Sequence, residues 1–204
     1  MRWISTILII AYELALLQAS LGNQKKYQTT AEEMLAQFGE SEKPNALGVS
    51  VWTARLAPYA LGDYPPAITA ARKLLNKSKQ DANRHKTLGA ILYRDGQHAA
   101  ALESLQESDR LLRESNSRSS PAYGLYFQAM TQHEIGNKDA ALEALQKANM
   151  QADKELSHTK SPPAWVRRLT LELLRKEAEG SIRPSSESTG GEVSQPAPTK
   201  NADD

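Results

Sequence analysis

Leu88-Gly89-Ala90-Ile91-Leu92-Tyr93-Arg94-Asp95-Gly96-Gln97-His98-Ala99-Ala100-Ala101-Leu102-Glu103-Ser104-Leu105 reads as a helix, a glycine turn and a second helix. In the first part Leu88, Ile91 and Leu92 recur at helical spacing, and Gly89 removes a side chain where a neighbouring helix must come close. Gly96 then ends the helix, because a left-handed C-terminal cap costs little only without a Cβ. The second part places Ala101, Leu102 and Leu105 on one face, with Ala100 and Ala101 keeping the crossing thin.

The same pattern occurs on both sides of this stretch. Leu61-Gly62-Asp63-Tyr64 leads into Ala67-Ile68, and Gly62 to Gly96 is 34 residues, as is Ala67 to Ala101. Ile135-Gly136-Asn137-Lys138 precedes Ala141-Leu142 at a spacing of 40 from Gly96, the extra residues falling in the loop Glu114 to Pro121. In this register Leu105 answers to Leu145 and Gly89 to Ala129. A weaker unit comes first, with Ala15 to Gly22 as a helix and its turn and Tyr27 to Phe38 as the second helix. The unit around Gly62 departs most, because Pro58 follows Trp52 and Leu56 and should shorten its first helix.

Composition agrees with helix. Ala and Leu are abundant and β-branched residues few, so side chains lose little rotamer freedom on helix formation. The expected fold class is therefore all-α. With 204 residues, 25 Lys+Arg against 24 Asp+Glu and no Cys, the chain is one domain without disulfides, zinc-thiolate sites or thiol nucleophiles. A net charge of +1 offers no excess to neutralise a phosphate backbone, so no nucleic-acid partner is expected.

This small-and-large pattern at a 34-residue period resembles the tetratricopeptide repeat (TPR), which implies an α-solenoid of antiparallel helix pairs over residues 24–179. More specifically, Glu33 to Gly39, Pro44-Asn45-Ala46, Val51-Trp52-Thr53 to Pro58, the repeats, and Pro163-Ala164-Trp165 to Glu179 resemble the C-terminal TPR region of planctomycete-type serine/threonine protein kinases. The chain carries no glycine-rich nucleotide loop, His-Arg-Asp loop or Asp-Phe-Gly motif. The resemblance therefore implies a non-catalytic protein-protein interaction module. The alternative it leaves open is a stand-alone or split-off regulatory region that acts only with the kinase part.

The two ends read differently. Residues 180–204 are rich in Gly, Ser, Pro and Thr with one Ile and one Val, too little apolar surface to offset ordering entropy, so a disordered tail is expected. Residues 1–23 are an apolar helix, with 1–20 as a possible signal or anchor. Small residues at the two cleavage-determining sites are lacking, and a span from Trp3 to Leu21 would place Glu13 near its centre at roughly 2.5–3.5 kcal/mol. A helix of the solenoid avoids that cost. The expected location is cytoplasmic, with export or membrane anchoring through residues 1–20 as the alternative. If a preceding segment is missing, Trp3 to Ile10 has lost a neighbour that covered it.

Catalytic chemistry has little footing. His85, His98, His133 and His158 lack the paired spacing of metal ligands, and no nucleophile elbow or phosphate loop is present. No catalytic residue, metal or cofactor is expected. Binding has a physical basis, because the first helices of stacked pairs line a concave wall. The TPR register directs Trp52 and Tyr59, then Asn83, Lys86, Tyr93 and Arg94, then Tyr123, Tyr126, Met130 and His133 to that wall. Aromatic rings interspersed with Lys and Arg suit a binding hot spot, and Lys86 and Arg94, two turns apart, suit a carboxylate. The expected partner is a protein or peptide, acidic or C-terminal. The competing reading has these side chains packed on a neighbouring helix such as the one carrying Trp165.

Overall fold

A computed structural model describes residues 2–115, 120–158 and 162–183, with side chains from residue 6 onward. Among the described residues the chain is all-helical, without strands. The helices are α1 (Arg2–Ser20), α2 (Gln24–Phe38), α3 (Pro44–Thr53), α4 (Pro65–Asn76), α5 (Ala82–Arg94), α6 (His98–Glu114), α7 (Pro121–Glu134), α8 (Lys138–Leu156) and α9 (Trp165–Ile182). Consecutive helices pack on each other, most extensively α5 on α6 and α7 on α8.

Three of the turns are built alike. Gly22, Gly96 and Gly136 take φ of 71°, 78° and 84°, conformations that a Cβ would strain. In each, the residue after the glycine donates its N–H back five positions: Asn23 to Gln18, Gln97 to Leu92 and Asn137 to Gln132, all at 2.9 Å. These bonds satisfy the last carbonyls of α1, α5 and α7 and direct the chain into the next helix. The weak first unit thus has the same turn as the two clear ones.

Gly62 does not belong with them. Its φ is not in the left-handed region, and the residue that is, Tyr59 at 58°, is not a glycine. The cause is the shortening expected from Pro58: α3 stops at Thr53 and an irregular stretch from Ala54 to Tyr64 replaces the tight turn. Pro65 then opens α4, where the missing N–H is one that would be unpaired in any case. At the start of α5 the Asp81 carboxylate accepts the N–H groups of Asn83 at 2.9 Å and Arg84 at 3.4 Å.

The core has two main bodies. One gathers Leu16, Tyr27, Leu47, Val51, Leu56 and Ile91 from α1 to α5. The other gathers Leu105, Tyr126, Phe127, Met130, Leu145 and Leu171 from α6 to α9. The final helix joins them, because Val166, Leu169 and Leu173 pack on the first while Leu171, Leu174 and Ala178 are buried in the second. The α9 helix continues to Ile182, beyond the boundary expected at 179. The tail expected from 180 lies outside the described residues from 184 onward, as do residues 116–119 of the long loop. No described helix is long and apolar enough to cross a membrane. Helix α1 instead buries Leu8, Ala15 and Leu16 against its neighbours.

Gly89 sits where α5 and α6 touch. A Cβ there would lie 2.6 Å from Leu105 Cγ and 3.0 Å from the Ala101 carbonyl, closer than packed atoms tolerate. Gly89→Ala is expected to destabilise the fold by about 1–3 kcal/mol through overpacking. Urea unfolding monitored by circular dichroism measures it, and an unchanged midpoint would show that the two helices separate freely at this point.

Candidate functional site

Helices α5 and α7 carry most of the residues that the sequence assigns to a partner, and α9 packs against α7 and is bonded to the end of α5. Helix α7 shows this most directly: Tyr123, Tyr126, Phe127, Met130 and Thr131 are all buried, leaving it almost without a solvent face. A helix buried all round has neighbours on every side, here α5, α6, α8 and α9.

Arg94 holds α9 in place. Its guanidinium donates two hydrogen bonds to the Glu177 carboxylate, with the Nη2 to Oε2 contact at 2.7 Å. It also donates to the Arg55 carbonyl, from Nε at 3.2 Å and Nη2 at 3.0 Å. The Arg94 side chain is 3% exposed and that of Glu177 13%. Burial works against the charge of Arg94, but the attraction and hydrogen bonds of Glu177 outweigh it and hold the guanidinium pKa above its ordinary value. The expected chemistry, a basic side chain on this wall gripping a carboxylate, is therefore present within the chain.

Lys86 is also interior, with no solvent exposure. Its Nζ approaches the Ser120 carbonyl at 3.4 Å and lies 5.5 Å from the Tyr123 ring centroid and 5.9 Å from that of Trp52. Burial, reinforced by the nearby charge of Arg55, pushes its pKa down to about 7. Tyr126 is buried too, its hydroxyl donating to Asn149 Oδ1 at 2.9 Å and accepting from Arg175 Nε at 3.0 Å. Tyr123 packs edge-on against Trp52 at 5.8 Å, and Tyr93 against Phe127 at 5.8 Å. The expectation that Lys86, Arg94, Tyr123 and Tyr126 stand free on an open groove is thus corrected: α9 and the aromatic layer cover them. Asn83 is exposed at the start of α5, Tyr93 is half-buried and His133 partly exposed at the end of α7, so the assigned residues do not form one accessible site.

Two participants escape a sequence reading. Arg55 is 1% exposed, with its Cζ stacked 3.2 Å above the Trp52 ring centroid. Its Nε and Nη2 reach no hydrogen-bond acceptor among the described residues, and burial pushes its pKa down to about 10. Its one signal was a lone charge in the otherwise uncharged run from Val51 to Ala57. Glu177 gave none, because in Arg175-Lys176-Glu177-Ala178-Glu179 it looks like any charge of a solvated helix face.

The accessible apolar surface lies elsewhere. On α1 and the turn after it, Ile7, Ile10, Leu14, Leu17 and Leu21 are 55%, 58%, 48%, 43% and 74% exposed. They recur in steps of three and four residues, which aligns them along one side of the helix, opposite the face carrying Leu8, Ala15 and Leu16. No group of three His, Asp or Glu that could hold a metal occurs among the described residues. No protein-family model, curated protein or solved structure matches the chain, so the reading of these surfaces rests on their own geometry.

The groove makes two predictions. Glu177→Ala leaves the buried Arg94 charge without its carboxylate and is expected to cost about 3–5 kcal/mol, whereas the apolar double substitution Arg94→Met/Glu177→Leu should recover most of that loss. Urea midpoints of the two variants decide it, and equal losses would show that the charges themselves are needed. The second prediction concerns pH. Between about 7 and the ordinary lysine value of 10.5 the unfolded chain binds a proton at Lys86 that the folded chain does not, so stability rises with pH across that window. Tyr93 and Tyr123, both pushed up to about 12 by burial, reverse the slope above pH 10 because their unfolded forms ionise first. Lys86→Met should remove the rise, as read from urea midpoints across the pH series.

Proposed function

We propose that this chain is a non-catalytic interaction module of the tetratricopeptide kind, whose partner docks on the outward face of α1 rather than in the concave groove. The identical turns at Gly22, Gly96 and Gly136 support a repeat built from two-helix units. The observation that carries the docking face is the stripe of Ile7, Ile10, Leu14, Leu17 and Leu21. Contiguous exposed aliphatics of this kind mark a surface that something covers.

The groove is the poorer choice. Helix α9 contributes Leu171, Leu174 and Ala178 to the core at 0–1% exposure, so removing it would open the interior. A segment buried to that degree is part of the fold and not a ligand in waiting.

The spacing on α1 specifies the occupant. Steps of three and four residues make the narrow seam that a second amphipathic helix fills, with aliphatic side chains interlocking between the positions. From Ile7 to Leu21 the seam is about 21 Å long at 1.5 Å per residue. The proposed partner is a protein that presents a helix with aliphatic residues at the same spacing.

Leu14→Glu with Leu17→Lys places charge in the middle of the seam without touching the core. Each aliphatic denied burial is worth about 1.5–3 kcal/mol, so partner affinity should fall by more than tenfold while the urea midpoint is unchanged. Quantitative affinity capture with cross-linking compares the two forms, and sedimentation velocity reports whether the partner is a second copy. A protein cross-linked through α1 and lost with the double variant supports the reading; identical partners and identical sedimentation would remove α1 from it.

A further inference from the structure

A second open surface lies on other helices. The end of α2, the segment before α4 and the first turns of α4 enclose a groove of about 910 Å³. Its walls are apolar: Leu61 and Ala70 are buried at 6% and 2%, Leu35 is half-buried, and Ala36, Pro65 and Pro66 are exposed beside them.

Carboxylates dominate the rim. Glu32, Glu40 and Asp63 are all exposed along it. The cation on this rim, Lys73, is already engaged: its Nζ lies 2.6 Å from Glu42 Oε1 and donates to the Glu40 carbonyl at 2.9 Å. Hydrogen bonds from Lys73 and Lys77 hold the Glu42 carboxyl down at about 2, so it is ionised and offsets one of the two lysine charges, leaving an excess that the three rim carboxylates outnumber. The rim carboxylates keep a negative field over an apolar floor.

The start of α4 would ordinarily counter that field, because helix N-termini offer unpaired N–H groups to anions. Here Pro65 and Pro66 occupy the first two positions and carry no N–H, and the Ile68 N–H is spent on the Tyr64 carbonyl at 3.0 Å. The Gly62 N–H also turns to a carboxylate, donating to Glu32 Oε1 at 3.1 Å. An anion entering this groove would meet carboxylates and few donors.

We propose that the groove between α2 and α4 receives a basic amphipathic helix of a protein partner, its apolar side chains on the Leu61 and Ala70 floor and its Lys or Arg residues at Glu32, Glu40 and Asp63. Apolar contact supplies the area and the rim sets the polarity of the helix that fits. This surface is separate from the α1 face, and either can fail without the other.

The probe is a synthetic amphipathic peptide of Leu and Lys with Leu at helical spacing, and its twin with Glu in place of Lys, titrated by fluorescence anisotropy. The Lys peptide should bind the wild-type chain and weaken in high salt, while the Glu twin binds at least about tenfold less tightly. Glu32→Gln/Glu40→Gln/Asp63→Asn keeps the hydrogen-bond acceptors and removes the charge, so it should lower affinity about tenfold and flatten the salt dependence. Ala36→Trp fills the groove and should weaken binding at all salt concentrations. The α1 variant Leu14→Glu/Leu17→Lys blocks the seam that an aliphatic helix could also occupy, so in that chain the preference for the Lys peptide and its salt dependence should persist. Equal binding of the two peptides to the α1 variant, no binding of either, or loss in the α1 variant with retention in the rim variant would each overturn the proposal.

Discussion

The paired hydrogen bonds between Arg94 and Glu177 are the constraint on which the arrangement of this molecule depends, because they tie the last helix to α5 over side chains that would otherwise meet solvent. An ion pair this buried is maintained only if both partners are present and their remaining hydrogen-bonding capacity is met. The Arg55 carbonyl meets part of it, accepting from the same guanidinium. One side chain of α5 thereby ties together the irregular segment after α3 and the α9 helix. Leucines on α9 extend the attachment into both core bodies.

Closing the groove changes the character of everything under it. Lys86 and Arg55, which on an open wall would be solvated and available, become interior cations resting on the rings of Trp52 and Tyr123. Their lowered pKa values are the electrostatic cost of that position. Tyr126 becomes the centre of a network through Asn149 and Arg175. Residues that have the composition of a binding hot spot serve here as the polar interior of a closed helical array.

With those side chains covered, the accessible apolar surfaces lie elsewhere. The α1 stripe and the groove between α2 and α4 both lie in the first half of the chain but differ in chemistry. The first is aliphatic along a single helix, and the second is apolar with an acidic margin. Surfaces of these two kinds differ in what they would recognise, because one would discriminate by side-chain interlocking and the other also by charge.

The local structure was legible in the sequence wherever it depends on neighbours along the chain. Helical content follows from Ala and Leu at three- and four-residue spacing, the turns at Gly96 and Gly136 from the need for a left-handed residue, and the shortened α3 from Pro58. The close approach at Gly89 was legible too, since a glycine inside an apolar helix has few other reasons to be there. Gly62 misled, because a matching residue at a matching period does not force the same backbone once the preceding helix ends early. The register grouped Lys86, Arg94, Tyr123 and Tyr126 on one expected wall, but whether those side chains meet solvent could not be read from it. The answer lies in a pairing between Arg94 and Glu177, 83 residues apart. Nothing in the local spacing around Glu177 distinguishes a carboxylate that will be buried from one that will face water. The outward face of α1 was equally undecided, since an apolar helix presents the same sequence whether one side or both are covered. Only the packing of α1, which buries Leu8, Ala15 and Leu16 and leaves Ile7, Ile10, Leu14 and Leu17 outside, decided which side meets solvent.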